Sequence, residues 1–328
     1  MIICKTPFRI SFFGGGTDFP EYYKKFGGSV IGSTIDKYSY IILRDHPKYF
    51  EKKHRLVWSL NEDFDKINEI KHPIVKAVFK LMKIENGSEI HHLSDLPGRS
   101  GIGSSSSFCV GLINSFYYKN KKKFIDKDKL HKLANYAEQK IAKDMNGDQD
   151  SIWAAHGGFK KIMFNKTGCH IKDLNINKKK IKELEDNILL FNTSIFRNSS
   201  TIEKKKIETL NSKIHLYDKL KYFVSESEKM LTSNCNEKDF GFLLHDYWNL
   251  KKKLSSSVSN SKINDIYKTA IENGAIGGKV LGAGGGGYLM VYCQKKNQKK
   301  LIKSLNKLIY VKIKFSNTGS KIIHDIRI

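Results

Sequence analysis

Four short stretches of this chain set glycines, hydroxyls and carboxylates at spacings that could do chemistry. Pro97 to Ser107 reads PGRSGIGSSSS, in which Gly98, Gly101 and Gly103 lead into Ser104, Ser105, Ser106 and Ser107. The following residues turn apolar at helical spacing, with Phe108, Leu112 and Phe116 in one row. A glycine loop that opens a helix leaves backbone N–H groups unobstructed. The unpaired first-turn donors and the positive end of the helix dipole then make a polyphosphate cradle. Taken alone, a Ser/Gly-rich loop before an ordinary helix explains this run about as well.

The other stretches add to it. Thr6 to Phe19 reads TPFRISFFGGGTDF, a strand pattern broken by Gly14, Gly15 and Gly16. Lys279 to Tyr292 reads KVLGAGGGGYLMVY, two apolar runs joined by glycine. Its Gly282, Gly284 and Gly287 match G-x-G-x-x-G, but that dinucleotide fingerprint opens a helix, and Tyr288–Tyr292 reads as a strand. A strand-to-strand turn is expected instead. No Gly-Lys-Ser/Thr triplet occurs, which excludes the common P-loop. The fourth stretch, Gly147-Asp148-Gln149-Asp150, is followed by Gly157-Gly158.

In order and content these segments resemble the GHMP kinase family over nearly the whole chain. The resemblance implies an α+β, GHMP kinase-like two-domain fold, with a ribosomal protein S5 domain 2-like N-terminal domain at 1–180 and a ferredoxin-like C-terminal domain at 181–328. It also implies ATP and Mg²⁺ as cofactors. Pro97, Gly98, Gly101, Gly103 and Ser104 to Ser107 would bind ATP, and Gly282, Gly284, Gly285 and Gly286 would form the third motif. Asp150 would be the base or hydroxyl-orienting carboxylate, chosen over Asp148 because it precedes Gly157 by seven residues, as in the family. Arg9 would support it by stabilising charge. Ser105 and Glu138 would hold the metal, and Gly15, Gly16, Thr17 and Asp18 would meet the substrate. Within the family the fine pattern resembles the heptose 7-phosphate kinases, which phosphorylate the anomeric C1 hydroxyl. For such a substrate Arg197, helped by Lys251 or Arg99, is expected to take the remote phosphate. Asp148 and Ser151 depart from that branch, where Lys and Gln are expected, and His156 stands where an aromatic is common. A kinase for galactose or fucose shares the same catalytic residues, whereas a non-catalytic sensor would have lost some of them.

Composition sets limits. At 328 residues the chain can build two sizeable cores. Five cysteines without C-x-x-C spacing make a poor disulfide framework. The start lacks the apolar core of a signal peptide, and no run approaches membrane-spanning length, so a cytoplasmic protein with no membrane partner is expected, a monomer or homodimer acting on a small-molecule sugar phosphate and ATP. The formal charge of +25 raises the possibility of nucleic-acid binding, yet only six of the 58 basic residues are arginine and the lysines are scattered. Attraction for anionic sugar phosphates fits better.

Periodicity predicts strands at Phe8–Phe13, Ser29–Leu43 and Arg55–Leu60, with helices near Ile74–Met82, Ser105–Tyr118 and Lys127–Asp144. The polar, lysine-rich Cys169–Asp186 reads as a crossing between domains. After it come a strand at Ile188–Asn192, helical patterns at Thr201–Leu231, Lys238–Ser255 and Ile263–Asn273, strands at Gly278–Leu281 and Tyr288–Tyr292, a helix near Gln298–Leu308 and a strand at Tyr310–Phe315.

Overall fold

A computed structural model of the chain describes residues 1–195, 199–233 and 236–326. The first half is built on one long antiparallel ribbon. Strand β1 (Ile2–Phe13) is apolar on both faces through Phe8, Ile10, Phe12 and Phe13, all buried. The short helix α1 (Pro20–Phe26), opened by proline, turns the chain into β2 (Gly28–Asp45). Then follow β3 (His54–Val57), β4 (Asn61–Phe64), α2 (Pro73–Met82), β5 (Ser88–Ser94), α3 (Ser104–Lys121), α4 (Lys127–Asn135), α5 (Gln149–His156), β6 (Lys160–Asn165) and β7 (Gly168–Asp173). At 18 residues, β2 is long enough to serve several partners: β1 along its length, β5 at its far end, and β6 at its start. Helix α3 packs on β1 and β2, burying Phe108, Leu112 and Phe116 as the spacing predicts.

The second half contains α6 (Lys178–Asn187), β8 (Ile188–Asn192), α7 (Ser199–Glu208), α8 (Ile214–Thr232), α9 (Glu237–Lys252), α10 (Ser261–Glu272), β9 (Ala275–Val280), β10 (Tyr288–Cys293), α11 (Lys295–Ser304) and β11 (Ile309–Val311). Its four strands lie in the order β11-β8-β10-β9. Numbered within the domain that order is fourth, first, third, second, the ferredoxin-like arrangement expected from the βα, ββ, αβ sequence.

Three expectations need correction. The presumed polar crossing is largely structured, because Cys169–Asp186 holds most of β7 and α6. Strand β7 sits at the sheet edge with one face open to solvent, so its composition resembles a loop. Helix α6 is capped by Asn177, which accepts from the Lys179 N–H at 2.8 Å. The helical stretch Thr201–Leu231 is interrupted between α7 and α8 by a single 3₁₀ turn, Asn211–Lys213. Finally, the chain does not finish in the second domain: β12 (Phe315–Ser316) pairs with β2, and β13 (Lys321–Asp325) pairs with β1. A boundary at residue 180 therefore separates the first sheet from two of its strands.

The largest apolar core crosses that boundary. It joins Phe8, Ile10 and Phe12 of the first half to Leu190, Phe240 and Tyr288 of the second. Phe12 meets Phe240 edge-on at 5.5 Å, and Phe13 meets Tyr247 at 5.2 Å. Aromatic pairs of this geometry contribute about 0.5–1.5 kcal/mol beyond their buried area. A fragment of residues 1–180 would expose this surface and lack β12 and β13, and it should show no cooperative thermal transition by circular dichroism. A sharp transition near that of the full chain would mean that the halves fold independently.

Candidate active site

The phosphate loop lies where the two halves meet. Gly103, with φ +74°, precedes α3, and no side chain caps the helix. The Ser107 N–H donates to the Gly103 carbonyl at 2.9 Å, leaving the earlier first-turn donors without intrahelical partners. A Cβ at Gly103 would come within 3.2 Å of Arg9 Cγ and 3.5 Å of Asp150 Oδ2, so the glycine lets the helix start touch the carboxylate. The Ser100 hydroxyl donates to the Pro97 carbonyl at 2.6 Å and closes the loop mouth, where Pro97 and Gly98 are exposed. The serines divide by role. Ser104 and Ser105 face outward, whereas the buried Ser107 donates its hydroxyl to the Pro7 carbonyl at 2.8 Å. Ser107 therefore anchors the loop to β1, and the expectation that it contacts phosphate is corrected. The third glycine motif, a β9–β10 turn as expected, presses on this loop: Tyr288 N–H donates to Ser100 O at 3.1 Å. A Cβ at Gly287, which lies just beyond the four glycines assigned to the third motif, would lie 2.3 Å from that oxygen.

Arg9 and Asp150 form a two-pronged ion pair. Arg9 Nε donates to Asp150 Oδ1 and Nη2 to Oδ2, both at 2.8 Å, while Nη1 donates to the Gly101 carbonyl at 2.7 Å. The pairing of β1 with β2 shifts register between Pro7 and Arg9, and the Arg9 N–H leaves the ladder for the Ile102 carbonyl at 3.1 Å. Such bulges re-aim side chains beside active sites. Asp150 occupies the first turn of α5, and its side chain keeps 19% exposure, open to an incoming hydroxyl. Asp148 is occupied elsewhere, accepting from the Tyr23 hydroxyl and Gln139 Nε2, each at 2.7 Å.

Glu138 is fully buried. After α4 the chain widens into a π-helical segment, Tyr136–Ile141, that carries Glu138. Widened turns of this kind are frequent at functional sites. Ser105 Oγ donates to Oε1 at 3.1 Å and Ser106 Oγ to Oε2 at 2.8 Å. Burial, then the neighbouring Asp144 and Asp150 charges, pushes the Glu138 carboxyl up to about 8. A carboxylate buried among other carboxylates, with a serine hydroxyl beside it, is a donor set that fits Mg²⁺. Ser106 was expected to bind ATP and here holds Glu138, and Asp144 did not stand out in the sequence.

The first glycine loop, expected to meet the substrate, surrounds a buried carboxylate. The Gly16 N–H donates to Asp18 Oδ1 at 2.8 Å, while Oδ2 is buried without a hydrogen-bond partner. A Cβ at Gly147 would fall 1.8 Å from that oxygen, which explains why glycine opens the Asp150 segment. Ser11 Oγ, Gln149 Oε1 and the Tyr247 hydroxyl are likewise buried without hydrogen bonds. The Ser11 hydroxyl and the Gln149 amide flank Gly15, and Tyr247 lies beside the Gly14 and Gly15 N–H groups. Buried polar atoms are normally paired, so four unpaired ones around one loop are unusual.

Thr17 and Lys251, both expected to bind substrate, are engaged elsewhere. The Thr17 hydroxyl donates within the loop to Gly14 O at 2.9 Å and Ser29 O at 2.8 Å. Lys251 is buried and donates to the Gly282 carbonyl at 2.6 Å, so it supports the third glycine loop. Trp248 beside it is core. Arg99 is exposed on the phosphate loop, and Arg197 lies outside the described residues. A lysine that sequence reasoning missed, Lys279, is fully buried and donates to the carbonyls of Ser11 and Phe12, each at 2.7 Å, linking β9 to β1. Burial, followed by Lys251, Arg9 and Lys206, drives its pKa well down.

Burial raises the Asp18 carboxyl from its ordinary 3.8 to about 6. The native state therefore holds this proton more tightly than the unfolded chain, and stability falls as pH rises from 3.8 to 6. The loss is on the order of 3 kcal/mol. Asp18→Asn should remove it, making the variant more stable than the wild type at pH 7 but not at pH 3.5. Parallel melting-temperature profiles for the two proteins across this range would refute the buried, unpaired carboxylate.

Comparison with known proteins agrees with this geometry. Residues 70–158 match the GHMP kinases N terminal domain, and residues 231–310 match the GHMP kinases C terminal family. The chain is 31% identical over 320 residues to D-glycero-alpha-D-manno-heptose 7-phosphate kinase of Campylobacter jejuni, covering 92% of each. It is 25% identical over 326 residues to L-fucokinase/L-fucose-1-P guanylyltransferase of Bacteroides fragilis, covering 87% of this chain and 34% of that one. A solved D-glycero-D-manno-heptose 1-phosphate kinase from Bacteroides thetaiotaomicron shares the fold over 100% of both chains, with a TM-score of 0.81 at 20% identity. With two matching domains in order and a relative spanning nearly the whole chain, this protein belongs to the GHMP kinase family and is a phosphotransferase of that family.

Proposed function

We propose that the chain transfers the γ-phosphoryl group of ATP to the anomeric C1 hydroxyl of D-glycero-D-manno-heptose 7-phosphate, giving the 1,7-bisphosphate on the way to nucleotide-activated heptose for surface glycans. The observation that carries a polyol acceptor is the set of orphaned buried atoms, Ser11 Oγ, Asp18 Oδ2, Gln149 Oε1 and Tyr247 OH, beside the Arg9–Asp150 pair. A site built to hydrogen-bond hydroxyls rejects acceptors that lack them, because its own groups stay unpaired. The heptose assignment rests on the Campylobacter jejuni relative. A sugar that is itself a phosphate suits the positive charges of Arg9, Lys206 and Lys251, which lie close enough to Lys279 to help depress it.

Phosphoryl transfer asks mainly for positioning and charge stabilisation. In this reading the N–H groups of Ser104 to Ser106 cradle phosphate at the α3 terminus. Asp18 accepts a sugar hydroxyl and fixes the ring. Asp150 has lone pairs left after accepting from Arg9; one receives the C1 hydroxyl, orients it and takes up its proton. Arg9 holds that carboxylate against the phosphate loop. Glu138 and Ser105 would bind Mg²⁺, which when present neutralises charge on the phosphate oxygens.

An ATP-consumption screen across heptose 7-phosphate, free heptose, galactose and fucose, with ³¹P NMR to locate the new phosphate, tests the acceptor. Heptose 7-phosphate should be preferred and phosphorylated at C1, and preference for an unphosphorylated hexose would overturn the reading. With that acceptor Asp150→Asn should lose roughly 10²–10⁴ in turnover. Asp148→Asn should lower the melting temperature more than the rate, and equal kinetic losses would remove the distinction. Glu138→Gln should raise the Mg²⁺ concentration needed for half-maximal rate; unchanged Mg²⁺ dependence would show that Glu138 is not a ligand.

A further inference from the structure

A second cluster of ligating side chains lies at the opposite end of α5 from Asp150. Among the described residues one group of three, Asp128, His131 and His156, brings its ligand atoms within 4.8 Å of one another. Asp128 and His131 stand three apart on α4, while His156 is the last residue of α5, just before the Gly157 cap. His131 Nδ1 lies 3.2 Å from His156 Nε2, and Asp128 Oδ1 lies 3.2 Å from that same nitrogen. One imidazole nitrogen is thus faced by two acceptor-capable atoms but has at most one proton to share between them.

We propose that Asp128, His131 and His156 form a divalent transition-metal site, zinc being the best fit, that staples α4 to α5 and stands apart from the kinase chemistry. Metal–ligand bonds of about 2.0–2.1 Å in a tetrahedron put ligand atoms about 3.3 Å apart, close to both observed separations. Two imidazoles and one carboxylate suit zinc and its first-row neighbours, whereas Mg²⁺ prefers oxygen alone. A neutral imidazole presents one ring-nitrogen lone pair to a metal. His131 is buried, whereas the Asp128 side chain is 62% exposed, leaving an entry path and a fourth position for water. Lys127, Lys132 and Lys160 oppose a cation here; of these Lys160 is already paired with Asp173. The helices joined are those that lead into Glu138 and away from Asp150, so the staple would steady both without touching substrate.

The full-length chain, stripped with EDTA, is titrated with zinc chloride against a chromophoric chelator. One equivalent should bind, the melting temperature should rise by at least about 2–4 °C, and Co²⁺ should give the visible absorption of a tetrahedral site. Asp128→Asn, exposed and safe for folding, and His131→Gln should each weaken zinc binding by at least about tenfold. Folded wild type that keeps no zinc, or equal affinity in wild type and Asp128→Asn, overturns the proposal. Neither readout involves sugar or ATP, so the site stands or falls independently of the acceptor assignment.

Discussion

The structure turns on the contact between Arg9 and Asp150. One guanidinium fork grips the carboxylate at the start of α5, and its third nitrogen grips the phosphate loop at Gly101. The backbone of the same residue holds Ile102. A strand, a loop and a helix from distant parts of the chain are thereby fixed to one side chain with 5% exposure. Breaking a buried ion pair of this kind by removing one partner costs about 3–5 kcal/mol, since the other charge is left uncompensated. Because Gly103 packs directly on Arg9, the phosphate cradle cannot shift without shifting the carboxylate that would orient the attacking hydroxyl.

Around that contact the two halves are locked by packing more than by charge. Phe12 and Phe13 reach from β1 into Phe240 and Tyr247 of α9, and Lys279 reaches back to the β1 carbonyls. The return of β12 and β13 to the first sheet closes the circuit. The glycine loops are where the halves come closest, as at Gly287 against Ser100, and a side chain there would push the nucleotide and acceptor elements apart.

The site also carries a stability cost that the core must offset. Asp18 and Glu138 are buried carboxyl groups held at about 6 and about 8, and several polar atoms near Asp18 lack partners. Groups in this condition are unfavourable in the free protein and become satisfied only when a ligand arrives, so binding and catalysis are built at the expense of resting stability.

Much of this was legible in the sequence. Glycine runs report where backbone must pass close to backbone or phosphate, and the three loops and the α3 start follow from local residue type and spacing, whereas the preference for Asp150 over Asp148 rests on the family resemblance. Many strands and helices with a buried face were readable, although β5, β6 and α5 were not singled out. Edge strand β7 was not, because its alternation is weak, and neither was the pairing of β12 and β13, because no local pattern says which sheet a terminal strand joins. Glu138 shows the division most clearly: the family resemblance pointed to it, but its complete burial within a π turn, outside the 3.6-residue period, was not visible. Lys279 looked like one more lysine in a chain with 58 basic residues. Thr17, Ser107 and Lys251 looked like ligand contacts, and their side chains are hydrogen-bonded within the fold. Side-chain type and spacing therefore determined the chemistry available here, while tertiary packing decided which groups face the ligand, because hydrogen bonds form between atoms that meet in space and not between neighbours in sequence.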